Sequence, residues 1–392
     1  MSYLVQTRDD HLFSAGPKRI LCLDGGGIRG IFSLGVLERI EALLRERHGG
    51  DPGFRLCYYF DLIAGTSTGS IIAAALAVGM SVAEIKNLYQ RLGSQVFQKS
   101  WFRQGLTQAR YDKAALEANL REVFGAASFD QDLTLGDPRI RTGLLVVTKR
   151  LDTGSVWPLG NNPADRYFKL RPGSSTIANS EYPLWQVVRA SSAAPTFFDP
   201  EDIVIQATAD GRTTSGLFVD GGVSPYNNPS LQAFLYATLS GHGLNWAKGA
   251  DHLLLVSVGT GRPQPGADSS GLPVDVALKS LKGLMDDCGI LVETMMQLIS
   301  ASPTAVKIDR VIGDLSADLL GVEPQLSYLR YDVKLTQEAL LPLIPNLGDQ
   351  ELAQLCQMDN PAMMNLLLQL GQAVGATSVH AAHFPANFDL TD

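Results

Sequence analysis

Tyr58-Tyr59-Phe60-Asp61-Leu62-Ile63-Ala64-Gly65-Thr66-Ser67-Thr68-Gly69-Ser70 runs from an apolar stretch into a glycine-flanked serine, and from there into the small apolar residues up to Val78. The apolar part predicts a buried strand over Tyr58 to Ala64, and Ser70 to Val78 predicts a helix. A serine between strand and helix with glycine on both sides, G-x-S-x-G, is the pattern of a nucleophile elbow. The turn is so tight that flanking side chains would collide, and the helix N-terminus lies behind the serine. An ordinary glycine-rich turn shares the pentapeptide, so its placement carries the reading. Ser67 is the candidate nucleophile, and Gly65 and Gly69 are the elbow glycines.

The alternation extends outward on both sides. Arg19-Ile20-Leu21-Cys22-Leu23 reads as a strand ending in Asp24-Gly25-Gly26-Gly27-Ile28-Arg29-Gly30. Leu34, Leu37, Ile40, Leu43 and Leu44 then recur at helical spacing between charged residues. Gly143 to Thr148, Gly216 to Val219 and Leu253 to Val258 are further strand candidates. Strands separated by helices predict an α/β fold, a mainly parallel sheet flanked by helices, with chemistry gathered at the carboxyl ends of the strands. After Gly261, Arg262 to Pro273 reads as a loop, and Val274 to Ser300 and Asn360 to Ala376 read as helices. The expected organisation is an N-terminal segment over 1–16, a catalytic domain over 17–261, and a helical C-terminal region over 262–392 packed on it.

The 392 residues are 45% hydrophobic and 18% charged, which suits a globular chain with a substantial core. Forty acidic residues against 32 basic ones give a net charge of −8, which disfavours nonspecific nucleic-acid binding. Cys22, Cys57, Cys288 and Cys356 are scattered, as free thiols in a reducing cytoplasm would be, with Cys22 and Cys57 expected in core strands. The N-terminus lacks a basic segment followed by an apolar one. The longest apolar stretch, Ile71 to Met80, is shorter than the ~18 residues that span a bilayer. These features predict a soluble chain.

Asp24 to Gly30 literally satisfies G-x-G-x-x-G. A dinucleotide site would need an acidic residue at the end of the second strand to bind the ribose, and that position leads into Ser67 instead. The alternative is an oxyanion hole, in which amides free of side chains point at a developing negative oxygen. Gly25, Gly26 and Gly27 are its candidates. Arg29 either braces this loop or faces an anionic substrate. Asp220-Gly221-Gly222 follows the apolar Leu217-Phe218-Val219, so Asp220 would also stand at a strand end. Partial burial would raise its basicity enough to serve a hydroxyl, whereas a plain turn-forming Asp-Gly is the alternative. Among histidines, His242, His252, His380 and His383 follow Asp220, and none has a distinctive neighbourhood. Neither H-E-x-x-H nor a P-loop occurs, so no metal and no cofactor are expected.

Taken together, Asp24 to Gly30, Gly65 to Gly69 and Asp220-Gly221-Gly222 resemble the patatin-like phospholipase family, covering roughly residues 17 to 260. Arg189-Ala190-Ser191-Ser192-Ala193-Ala194-Pro195-Thr196-Phe197-Phe198 and Asn227-Asn228-Pro229 resemble family segments on either side of the aspartate. The resemblance implies a Ser67–Asp220 dyad without histidine, a glycine-rich oxyanion loop, and hydrolysis of membrane phospholipids without a metal. The last third, including Tyr328-Leu329-Arg330-Tyr331, is similar in its helical character to longer members. Among those are bacterial phospholipase effectors of antiphage signalling, switched on by cyclic nucleotides.

A cyclic nucleotide activator, assembly into a homo-oligomer, and action at the inner face of the membrane by a cytoplasmic protein are left open by this resemblance. A constitutive lipase fits equally. A ligand-binding regulator on the same fold and an esterase or thioesterase on soluble substrates are competing readings. Phe97, Trp101 and Phe102 beside Lys99 and Arg103 either insert at a lipid interface or pack inward.

Overall fold

The computed structural model describes residues 6–96, 113–170, 173–263 and 273–390. Its centre is the strand Lys18–Leu23 (β1), whose six residues are all buried. A strand covered on both faces reads as a continuous apolar run, as Ile20 to Leu23 does here after the buried Lys18 and Arg19. In chain order follow β2 (Leu62–Thr66), β3 (Gly143–Arg150), β4 (Val156–Gly160), β5 (Glu201–Ala207), β6 (Thr213–Asp220) and β7 (Leu253–Val258). The last four are β8 (Arg262–Pro263), β9 (Ser300–Ala301), β10 (Leu326–Tyr331) and β11 (Lys334–Leu335).

Among the described residues the main sheet has the order β5-β6-β3-β2-β1-β7-β10-β9, with β4 also on β3. The pairings β3-β2, β2-β1, β1-β7, β7-β10 and β10-β9 are parallel, and β5-β6, β6-β3 and β3-β4 are antiparallel. The mainly parallel sheet flanked by helices is therefore the observed architecture.

Helices cover both faces. One core cluster joins Leu21, Leu23 and Ile63 to the helices Gly30–Arg47 and Thr68–Ala77, and the other joins Ile20, Cys22 and Leu62 to the helix Ser230–Thr238. The helix Met364–Ser378 lies against Gly30–Arg47. A Cβ on Gly371 would fall on the carbonyl oxygen of Phe32, so the approach requires glycine there.

Four sequence expectations shift. The strand expected over Tyr58 to Ala64 starts later, because Leu56–Tyr59 forms a helical turn. That places Cys57 on the turn, not in a strand, although it is buried. Asp61 lies just before β2, where a buried network holds it. It accepts from Arg19 N–H at 2.8 Å and Arg19 Nε at 2.9 Å, with His11 Nδ1 at 3.0 Å.

The C-terminal region is helical over Pro273–Leu298, Asp349–Leu355 and Met364–Ser378, but it also inserts β10 beside β7. Tyr328-Leu329-Arg330-Tyr331 is thus strand, not helix. β10 follows a stretch of turns after the helix Pro273–Leu298, and five of its six residues are buried in the sheet. The aromatic and basic group Phe97 to Arg103 lies outside the described residues. Among the described residues, no helix is long and apolar enough to cross a membrane.

Candidate active site

The carboxyl ends of β1 and β2 and the end of β6 meet at one rim of the sheet, through the parallel register of Leu23 with Gly65 and the antiparallel register of Thr148 with Asp220. Ser67 stands directly after β2 with φ +54° and ψ −128°. A non-glycine residue rarely holds such a conformation without compensating contacts. One compensation is Ser191, whose hydroxyl accepts the Ser67 N–H at 2.9 Å and donates to the Val147 carbonyl at 2.6 Å. Gly69 supplies another, since a Cβ there would strike the carbonyl oxygens of Leu23 and Asp24. The helix Thr68–Ala77 can therefore start close against β1, with its N-terminus at the serine.

Ser67 Oγ–H donates to Asp220 Oδ2 at 2.6 Å, and both residues are buried. The other carboxylate oxygen, Oδ1, accepts from the Gly222 N–H at 2.7 Å, and the Asp220 N–H donates to the Ala193 carbonyl at 3.0 Å. Burial pushes the Asp220 carboxyl up to about 6, against the opposing pull of the Ser67 and Gly222 hydrogen bonds and the Arg189 charge. Arg189 is fully buried, donates from Nη2 to the Asp199 carbonyl at 3.0 Å, and stands over the Phe198 ring.

A cavity of about 110 Å³ opens onto this pair. Gly26, Gly27 and Thr68 border it, and Ile71, Leu92, Leu116, Phe197, Met285 and Met358 give it an apolar lining. No histidine lines it. His242 instead faces Asp165 at 3.1 Å, and His383 faces the Tyr331 hydroxyl at 2.9 Å.

The expected oxyanion group divides in two. Gly26 and Gly27 are at the cavity wall, whereas Gly25 and Arg29 line a second cavity behind it. Gly25 stands beside Ser67, where an added Cβ would come within 3.0 Å of the Ser67 Cβ, but its N–H is already donated to the Asn227 carbonyl at 3.1 Å. Asn227 Nδ2 returns a bond to the Gly25 carbonyl at 3.2 Å, and Thr260 Oγ1 donates to the same oxygen. Arg29 follows Gly27 and Ile28 in a short 3-10 turn that carries its side chain away from the serine.

Thr68, Ser191 and Arg330 were not singled out as site residues from sequence. Thr68 had a signal, because the residue after an elbow nucleophile opens the helix and presents its amide there. The contacts of Ser191 and Arg330 are long-range and leave no local pattern. Arg330 donates to Asp24 Oδ1 at 3.0 Å and Oδ2 at 2.6 Å, fastening the start of the glycine loop to β10. Among the described residues, no group of three or more His, Cys, Asp or Glu is arranged to hold a metal ion.

Residues 21–234 match the sequence profile of the patatin-like phospholipase family, and the chain belongs to that family. It is 32% identical over 223 residues to a cGAMP-activated phospholipase of Vibrio cholerae, covering 54% of this chain and 56% of that one. It is 33% identical over 254 residues to a cUMP-AMP-activated phospholipase of Escherichia coli, covering 63% and 67%. A third relative, probable inactive patatin-like protein 9 of Arabidopsis thaliana, is 28% identical over 258 residues, covering 63% and 62%. The match thus spans little more than half the length of the Vibrio cholerae relative.

Proposed function

We propose that the chain is a serine acyl hydrolase that releases fatty acids from membrane phospholipids, with Ser67 as nucleophile and Asp220 as base. The observation that carries this reading is the 2.6 Å hydrogen bond between Ser67 Oγ and Asp220 Oδ2 at the wall of an apolar cavity. Asp220 takes the Ser67 proton as Oγ attacks the ester carbonyl carbon. The tetrahedral oxyanion is held by the amides of Gly27 and Thr68, at the N-terminus of the helix Thr68–Ala77. Gly26 adds a third once its long 3.2 Å bond to Thr68 Oγ1 is exchanged for the stronger acceptor. Asp220 returns the proton to the leaving alkoxide of the lysolipid. A water then gives its proton to Asp220 and attacks the acyl-enzyme, releasing the fatty acid and restoring Ser67.

Two features support a lipid acyl group over a small soluble ester. The cavity walls are almost wholly aliphatic and aromatic, and the relatives in Vibrio cholerae and Escherichia coli are named phospholipases. Their names also support activation by a cyclic nucleotide. The test is fatty-acid release from mixed bacterial lipids with and without cGAMP and cUMP-AMP, alongside Ser67→Ala and Asp220→Ala. Release that rises with one nucleotide and vanishes in both variants is expected. No release under any condition, with no fluorophosphonate labelling of Ser67, would favour a non-catalytic binding protein.

A further inference from the structure

Behind the glycine loop lies the second cavity, of about 270 Å³, enclosed by the loop, the helix Pro273–Leu298 and the strand β10. Much of its wall comes from residues 260–336, beyond the stretch 21–234 that the family profile covers. Its charges are unevenly paired. Asp24 and Asp332 are held by Arg330, and Glu293 Oε2 accepts from Arg262 at 2.7 Å. Arg29 is different. It is 6% exposed, and its Nε and Nη1 are buried without a hydrogen-bond partner among the described residues. Glu293 Oε1, on the same cavity, is likewise without one. A guanidinium so enclosed is costly unless an anion completes it, and the carboxylate oxygen needs a donor. Among the carboxylates, the one acting most strongly on the Arg29 charge is Asp286, exposed on the helix Pro273–Leu298. Its neighbour Met285 lines both cavities, as does Asn227, which clamps Gly25.

Resting on the function proposed above, we infer that this second cavity is the site of the nucleotide activator. A phosphodiester sits against Arg29 and the rim residue Lys334, and a base or sugar donor faces Glu293. The phosphate takes over from Asp286 as the counter-charge of Arg29. That frees the helix segment carrying Met285 to withdraw from the Ser67 cavity, so that acyl chains enter. A bare anion satisfies Arg29 alone, whereas a nucleotide also supplies the donor for Glu293. A phosphoethanolamine headgroup has the same pair of groups, and the experiment separates the two sources.

Binding is measured by calorimetry on the full chain carrying Ser67→Ala, so that no turnover intrudes. The probes are cGAMP, cUMP-AMP, inorganic phosphate and glycerophosphoethanolamine. One cyclic dinucleotide is expected to bind far more tightly than phosphate or the headgroup. Its affinity should fall at least tenfold with Arg29→Gln and with Lys334→Glu, and rise severalfold with Asp286→Asn. Lys334 and Asp286 are exposed, so those two variants decide the matter even if Arg29→Gln does not fold. Binding of neither dinucleotide, affinities indifferent to both rim variants, or tighter binding of glycerophosphoethanolamine would each overturn the assignment. Because the readout is binding to a chain without the nucleophile, such a failure leaves the hydrolase reading intact. Absence of lipid hydrolysis by the unmodified chain would sink that reading instead.

Discussion

Arg330 Nη2 lies 2.6 Å from Asp24 Oδ2, with Nη1 3.0 Å from Oδ1, so a residue of the last third of the chain grips the first residue of the glycine loop. The pair is buried and bidentate, and Arg330 also donates to Ser257 Oγ at 2.8 Å and Asp332 Oδ2 at 2.9 Å. Burying two charges gains little net stability, but removing one partner strands the other.

Arg330→Met is therefore expected to destabilise the chain by about 3–5 kcal/mol. The measurement is the urea midpoint. Asp24→Asn combined with Arg330→Met should recover part of the loss, because the Asp24 carboxylate is no longer stranded and Asp332 keeps Arg262 at 3.2 Å. A double variant as unstable as the sum of the singles would contradict the pairing.

The raised proton affinity of Asp220 sets a pH dependence for hydrolysis. Below about 6 the carboxyl is protonated and cannot accept the Ser67 proton. With a substrate that does not titrate in this range, kcat/KM should climb about tenfold per pH unit up to that point and level above it. A profile flat from pH 4 to 8 would exclude Asp220 as the base.

The same residue should weaken the fold at neutral pH. Its carboxyl rises from 3.8 in the reference state to about 6 when buried, which costs the folded state about 3 kcal/mol when ionised. Between pH 6 and 4 the folded chain holds a proton that the unfolded chain has lost, so this cost disappears as the pH falls through that window. Asp220→Asn is expected to be more stable than the unmodified chain at pH 7 and to lose that advantage near pH 4, as read by denaturant unfolding at each pH.

Ser191→Ala should leave the buried Ser67 N–H and the Val147 carbonyl without their shared hydroxyl. The expected cost is about 1–3 kcal/mol of stability. Because the hydroxyl also holds the Ser67 backbone in its left-handed conformation, kcat should fall while KM changes little. An unchanged kcat would make Ser191 a structural residue only.

Much of the rim was legible because its signals are local. Gly65 to Gly69 announces a tight strand-to-helix turn, and Asp220-Gly221-Gly222 follows an apolar run that becomes β6. Proximity of Ser67 to Asp220, 153 residues apart, follows from both standing at strand ends on the same rim. Which way each loop residue faces was not legible. Arg29 and Gly27 share a motif of seven residues, yet a 3-10 turn sends them to different cavities. β10 was missed because five of its six residues are buried, which leaves no alternation, and its place in the sheet depends on pairing with β7. The helical turn at Leu56–Tyr59 was hidden in a similar way, by aromatic residues that favour strands in other settings.

The insertion of β10 beside β7 has a practical consequence for dividing the chain. A fragment ending near residue 261 would keep the serine, the aspartate and the glycines, yet expose the backbone donors and acceptors of β7 along an unprotected edge that is apolar but for Ser257. Such an edge is a template for pairing between molecules, so the shortened chain would be prone to self-association and precipitation before any assay could be run on it.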